Sequence, residues 1–187
     1  ITGSGKTEIY IKLVSEVLKN GKTVIMLVPE ITLTTQIVKR FYECFGDNVA
    51  IFHSGLSDGE KYDEYSKILK GEASIVVGTR SSIFVPLKNM GLIIIDEEHT
   101  SSYKQENNPR YHAVDMAIFR AKYHNCPVVL GSATPRLESM ARAKKGVYKY
   151  LTLKNRVGDA KLPKIELIDL SASYKNGGSI LSSDLPV

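Results

Sequence analysis

Apolar, β-rich runs alternate with helical patterns along the chain. Thr23 to Val28 is a continuous apolar run, as expected of a strand buried on both faces, and Val49 to Phe52, Ser74 to Val77, Leu92 to Ile95 and Val128 to Leu130 are four more short strands of that kind. Ile9, Leu13 and Val17 recur every four residues, which predicts a helix with those three on its buried side, ended by Asn20-Gly21, residues suited to a left-handed cap. Ile31 to Phe45 reads as a second helix with Ile31, Thr34, Val38 and Phe41 on one side, and Gly46 stops it. Further helices are predicted at about 58 to 70, 112 to 124 and 136 to 145. Strand and helix alternating in this way implies right-handed crossovers, an α/β fold with a parallel sheet, and ligands at the strand ends. The unusual residues do follow strands: Pro29 to Gln36, Gly78-Thr79-Arg80-Ser81-Ser82, Asp96 to His99, and Gly131-Ser132-Ala133-Thr134-Pro135. Four polar loops are therefore expected to converge on one edge of the sheet.

Composition narrows the class. A length of 187 residues with 43% hydrophobic content is enough for one well-buried α/β core. No apolar run approaches the roughly 18 residues of a membrane span, and no signal peptide is recognisable. Cys44 and Cys126 are isolated, without Cys-x-x-Cys spacing, and read as buried thiols in a reducing cytoplasm. The net charge is +5, and residues 136 to 164 hold nine basic side chains against Glu138 and Asp159. That stretch suits a nucleic-acid backbone, and a solvated helix face with a linker explains it equally well.

Chemistry enters at the start of the chain. Thr2-Gly3-Ser4-Gly5-Lys6-Thr7 suits a polyphosphate: glycines let backbone N–H groups close around phosphates, Lys6 supplies a point charge, and the Thr7 hydroxyl can ligate Mg²⁺. The complete pattern has one more glycine, which would fall just before Ile1, so the chain reads as beginning inside its own motif. Downstream, Leu92-Ile93-Ile94-Ile95-Asp96-Glu97-Glu98-His99 is a strand that ends in carboxylates. Asp96 would hold the metal's water shell, and Glu97 would orient or deprotonate an attacking water. Alone, the first segment could be an ordinary turn into a helix and the second a loop cap. Together and in this order they point to a nucleoside triphosphate.

Other polar groups admit two readings each. His99 could bridge the acidic segment to Ser132 and Thr134 through hydrogen bonds, or be satisfied by a local carbonyl. Tyr103, Lys104, Arg110, Tyr111 and His112 interleave rings and cations around Pro109; they could stack bases at roughly 1 to 3 kcal/mol each, or pack the loop onto the sheet. Thr79 and Arg80, with Pro29, Thr32 and Gln36, suit a single-strand backbone, whereas helix capping explains Thr32 and Gln36 as well.

Seven segments together resemble superfamily 2 helicases, and within them the PriA family of replication-restart helicases: Thr-Gly-Ser-Gly-Lys-Thr-Glu (2 to 8), Leu-Val-Pro-Glu-Ile (27 to 31), Val-Gly-Thr-Arg-Ser (77 to 81), Asp-Glu-Glu-His (96 to 99), Ser-Tyr-Lys-Gln (102 to 105), Pro-Arg-Tyr-His (109 to 112) and Gly-Ser-Ala-Thr-Pro (131 to 135). The likeness runs from residue 1 to about 170. Gly-Ser-Ala-Thr-Pro and Asp-Glu-x-His are widespread among such motors, and Ser-Tyr-Lys-Gln followed by Pro-Arg-Tyr is more specific. Val114 and Thr100 depart from the family, which more usually shows Arg and Asp there. The resemblance implies a RecA-like lobe over 1–153, followed by a basic linker, 154–187, toward a zinc-binding region and a second lobe. It also implies ATP and Mg²⁺ as cofactors, with zinc expected in that further region and none in this chain.

In that reading Thr2, Gly3, Ser4, Gly5, Lys6 and Thr7 bind nucleotide, Thr7 and Asp96 hold the metal, and Glu97, Lys6 and His99 are catalytic. Thr79, Arg80, Tyr103, Lys104, Arg110, Tyr111, Ser132 and Thr134 bind DNA or couple it to the nucleotide. The expected function is 3′ to 5′ DNA unwinding in replication restart and primosome assembly, in the bacterial cytoplasm and associated with the nucleoid. The implied partners are single-stranded and forked DNA, single-strand-binding protein and other primosome proteins, with no membrane. The lobe by itself is expected to be inactive without its second lobe. Alternatives are another superfamily 2 translocase or branch-migration motor, and a nucleotide-dependent DNA-remodelling module that does not unwind.

Overall fold

The computed structural model describes residues 5–30 and 36–153, all within the first of two compact units, Ile1–Val157. Helix α1 (Lys6–Lys19) leads into β1 (Thr23–Leu27), then α2 (Gln36–Phe45), β2 (Val49–Phe52), α3 (Asp58–Lys70), β3 (Ile75–Gly78) and β4 (Met90–Ile95). A short hairpin follows, β5 (Lys104–Gln105) and β6 (Tyr111–His112), and then α4 (Ala113–His124), β7 (Val128–Leu130) and α5 (Leu137–Lys144). The five long strands form one sheet in the order β2-β3-β1-β4-β7, every neighbouring pair parallel. This is the expected RecA-like α/β sheet flanked by helices.

Alternation along the strands explains the two layers. Ile25 and Leu27 of β1 and Ile93 and Ile95 of β4 pack with Ile68 of α3 and with Ala113, Val114 and Ala117 of α4. The intervening Val24, Met26 and Ile94 pack with Tyr10 and Val14 of α1 and Phe41 of α2 on the opposite face. Both faces of β1 and β4 are thus covered, which is why they read as unbroken apolar runs. Each fully buried isoleucine of β4 contributes about 1.5–3 kcal/mol relative to exposure. Local signals set the helix ends: Ser57 and Glu60 form a reciprocal capping box at α3, and Gly46 takes a φ of 55° where α2 stops.

The inward side of α1 differs from expectation. Tyr10 and Val14 are buried, while Ile9 and Leu13 are 39% and 36% exposed. Two adjacent apolar stripes compete on this helix, and the one that contains Tyr10 wins because its ring fills the sheet face and its hydroxyl finds a buried partner. Cys44 is exposed rather than buried, and Cys126 is half-buried. Of the expected second helix, Ile31 to Thr35 and residues 154–187 of the proposed linker lie outside the described residues. No helix among the described residues is long and apolar enough to cross a membrane.

Candidate nucleotide site and nucleic-acid interface

Strand register aligns the functional loops. Leu27 of β1 lies opposite both Gly78 of β3 and Ile95 of β4, and Ile95 lies opposite Leu130 of β7, so Val28, Thr79, Asp96 and Gly131 leave the sheet side by side. Backbone bonds continue past the strands: Asp96 N–H donates to Leu27 O at 2.9 Å, Gly131 N–H to Ile95 O at 2.8 Å, and Glu98 N–H to Gly131 O at 3.0 Å. The expected convergence of polar loops on one edge is present.

Gly5 caps α1 with φ 80° and ψ 22°, the left-handed conformation that glycine adopts without strain, and Lys6 begins the helix. The first N–H groups of a helix lack intrahelical partners and carry partial positive charge, which suits an anion. Lys6 Nζ donates to Glu97 Oε1 at 2.6 Å and lies 3.7 Å from Asp96 Oδ1. Thr7 follows in the same first turn, and Thr2, Gly3 and Ser4 lie outside the described residues. Residues 90 apart in sequence are thereby joined at the head of α1.

The acidic box divides its labour. Asp96 is 6% exposed; its Oδ1 accepts from the Tyr10 hydroxyl at 2.9 Å, and its carbonyl accepts from the Tyr103 hydroxyl at 2.6 Å. Burial raises the Asp96 pKa above the usual carboxylate range, against the opposing pull of Lys6 and of the Tyr10 hydrogen bond. Glu97 has a φ of 47°, left-handed backbone that costs a non-glycine residue about 1–2 kcal/mol, and its carboxylate sits between Lys6 and His99 Nδ1, the latter at 3.5 Å. Glu98 turns the other way and is 1% exposed; its Oε1 accepts from Arg136 N–H at 2.8 Å and its Oε2 from the Ser139 hydroxyl at 3.1 Å. His99 Nδ1 is 2.8 Å from Ser132 Oγ, and Thr134 N–H donates to that same oxygen at 3.0 Å. His99 therefore meets the Gly-Ser-Ala-Thr-Pro loop through Ser132, with Thr134 joining by its backbone.

Three residues expected to touch DNA are placed differently. Tyr103 is 1% exposed and offers no ring to a base; its hydroxyl holds the acidic box instead. Thr79 is 4% exposed, because its backbone is tied to Phe52 O and to Ser82 N–H in a tight turn. The Arg80 Nη1 donates to Ser102 O at 3.1 Å and Lys104 O at 2.7 Å, so this side chain fastens the aromatic loop to the sheet edge. Pro29 is buried, and Thr32 and the Gln36 side chain lie outside the described residues. At the two positions that depart from the family, Val114 is buried in the core and Thr100 closes a turn through its N–H to Glu97 O at 2.9 Å.

The remaining loop residues stay accessible. Lys104 and Arg110 are exposed, and with Gln105, Glu106, Tyr111 and His112 they line an open cleft of about 440 Å³ in the β5–β6 hairpin. Lys104 pairs with Glu106 at 3.1 Å, and Tyr111 packs edge-on against Phe84, 4.9 Å between ring centres, with Phe84 half exposed. His112 Nε2 accepts from Arg136 Nη1 at 2.8 Å, and burial followed by the Arg136 charge lowers its pKa. Sequence reasoning missed Tyr10, Glu98 and Phe84, and read Arg136 only as part of the basic stretch rather than as the partner of His112 and Glu98. Only Glu98, inside a recognised motif, carried a local signal.

Residues 1–143 match the DEAD/DEAH box helicase family. The chain belongs to that family. It is 58% identical over 183 residues to the replication restart protein PriA of Bacillus subtilis, covering 98% of this chain and 23% of that protein, and 48% identical over 188 residues to PriA of Synechocystis sp., again 98% and 23%. The chain thus spans about a quarter of the length of the curated relatives it matches. Among solved structures, RecG bound to a three-way DNA junction is 28% identical with a TM-score of 0.54, over 77% of this chain and 18% of that one. The Hef helicase domain of Pyrococcus furiosus shares the fold, with a TM-score of 0.54 at 22% identity over 80% of this chain and 32% of that one.

Proposed function

We propose that residues 1–153 are the ATP-binding lobe of an ATP-dependent 3′ to 5′ DNA helicase of replication restart and primosome assembly, with 154–187 a basic linker toward a second lobe. The observation that carries this reading is the meeting of Lys6 with Glu97 and Asp96 at the head of α1. A cationic group beside two carboxylates and a helix N-terminus is the arrangement a triphosphate needs for binding and for attack by water. Kinship with PriA proteins supports the replication-restart role, and polarity rests on that likeness alone.

The chain's residues can divide the work as follows. N–H groups after Gly5 and the Lys6 ammonium bind the β and γ phosphates. Lys6 then exchanges its contact with Glu97 for one with phosphate, which releases Glu97 to orient and deprotonate the attacking water. His99, bonded to Ser132, carries the change at Glu97 to the Gly-Ser-Ala-Thr-Pro loop. Mg²⁺ fits the donors present: the Asp96 carboxylate near the head of α1 and the Thr7 hydroxyl in its first turn are hard oxygen ligands, and Mg²⁺ commonly uses one or two protein ligands plus phosphates and water. Thr7 and Asp96 would hold it, and its charge would neutralise the phosphates. Arg110, Lys104 and Tyr111 around the hairpin cleft would meet single-stranded DNA. Comparing ATPase stimulation by single-stranded and double-stranded DNA, in the protein with both lobes, tests the reading; turnover that no DNA alters would overturn it.

A further inference from the structure

Tyr10 joins three functional segments. It lies five residues beyond Gly5 on α1, is 3% exposed, and donates its hydroxyl to Asp96 Oδ1 at 2.9 Å. The start of the Gly-Ser-Ala-Thr-Pro loop is built around it: a Cβ on Gly131 would lie 1.8 Å from the Tyr10 hydroxyl, 3.0 Å from its Cζ and 3.3 Å from Asp96 Oδ1. Gly131 does not have the left-handed backbone that demands glycine, so its backbone would accept an alanine and the tyrosine is what forbids one. Phenylalanine would fill the same space, so the packing alone does not call for the hydroxyl. A carboxylate with one oxygen fixed by a buried donor has lost free rotation, and its other oxygen is held in one direction.

We propose that Tyr10 is a positioning residue for metal binding: it fixes the orientation in which Asp96 meets Mg²⁺ and links that orientation to the Gly131 turn. The proposal rests on the reading of Asp96 as the metal's holder. Hydrogen-bonding partners of metal ligands commonly tune metal affinity by about 10- to 100-fold.

The test uses the full-length protein and Mg²⁺ itself as the probe, titrated against binding of a fluorescent, non-hydrolysable ATP analogue. Tyr10→Phe should raise the Mg²⁺ midpoint by about 10-fold or more, while affinity for the analogue in EDTA stays at the parent value. An unchanged midpoint overturns the proposal. Asp96→Asn separates the two levels: if it leaves the Mg²⁺ midpoint unchanged, the metal assignment itself fails, and if it shifts the midpoint where Tyr10→Phe does not, only the role of Tyr10 fails. A second, activity-free measurement guards against a folding defect. Gly131→Ala should lower the melting temperature, and Tyr10→Phe combined with Gly131→Ala should melt above Gly131→Ala alone because the clashing hydroxyl is gone. A double variant that melts no higher than Gly131→Ala would overturn the three-way contact.

Discussion

At Glu97 the chain accepts an unfavourable backbone in exchange for position. With φ at 47°, the residue turns its carboxylate toward Lys6 while its neighbours Asp96 and Glu98 turn to Tyr10 and to α5. Strain of this kind persists where surrounding structure enforces it, commonly at reactive sites. Glu97→Gln keeps the shape and removes the proposed base, so turnover should fall by about 100-fold or more while nucleotide still binds, as single-turnover kinetics can show. Lys6→Ala should abolish turnover and leave DNA affinity largely intact in a filter-binding assay. Asp96 carries a different cost. Burial holds its pKa up, so the ionised form is penalised in the folded state: stability is complete below the ordinary carboxylate pKa and is lost as pH rises through the raised one. Asp96→Asn keeps an oxygen for the Tyr10 hydroxyl and removes the charge. It should therefore raise the melting temperature at pH 7, with the gain vanishing as pH falls below the ordinary carboxylate range.

Elements were legible to the extent that their signal was local. The strands at 49–52 and 128–130 and the helix at 58–70 lie where periodicity placed them, because buried parallel strands are short apolar runs and α3 carries its own caps. The inward face of α1 was not legible, because a tyrosine reads as a surface residue until a buried acceptor 86 positions away is known. For the same reason Arg80 and Thr79 read as DNA contacts: nothing in their sequence reveals that carbonyls of a distant loop, or a tight turn, have claimed them. Glu98 shows what a motif name hides. Its buried carboxylate meets the N-terminus of α5, where partial positive charge stabilises it, and ties the acidic box to the helix after Gly-Ser-Ala-Thr-Pro. Glu98→Ala leaves the Arg136 N–H and the Ser139 hydroxyl without that acceptor, at about 1–3 kcal/mol. For a domain of this size the melting temperature should drop by roughly 2–12 °C in a thermal scan, and an unaltered value would show the contact to be incidental.

Across the described residues, two hydrogen-bonded routes run from the aromatic hairpin to the candidate nucleotide site. One is direct: Tyr103, held at the foot of the hairpin, donates to the Asp96 carbonyl. The other passes from His112 to the Arg136 guanidinium, and from the Arg136 N–H to Glu98, beside the proposed base. The proposed motor would need hydrolysis to depend on DNA, and coupling between two sites is typically about 1–3 kcal/mol, or some 5- to 150-fold. In the proposed function, the exposed Arg110 and the half-buried Tyr111, which line the cleft, would be the receivers, and the buried Tyr103 with the half-buried Arg136 would be the transmitters. Replacing Arg110 and Tyr111 together by Ala should lower DNA-stimulated ATPase activity by a factor in that range, with a smaller loss of single-strand affinity and little change in basal rate. Tyr103→Phe keeps the buried ring and removes only the hydroxyl that reaches Asp96, so stimulation should fall while DNA affinity stays at the parent value. If the Arg110 and Tyr111 variant kept full stimulation, the hairpin would be packing rather than a sensor; if basal rate collapsed equally, the substitutions would have unfolded the region; and if Tyr103→Phe alone were silent, the signal would travel through Arg136 and Glu98.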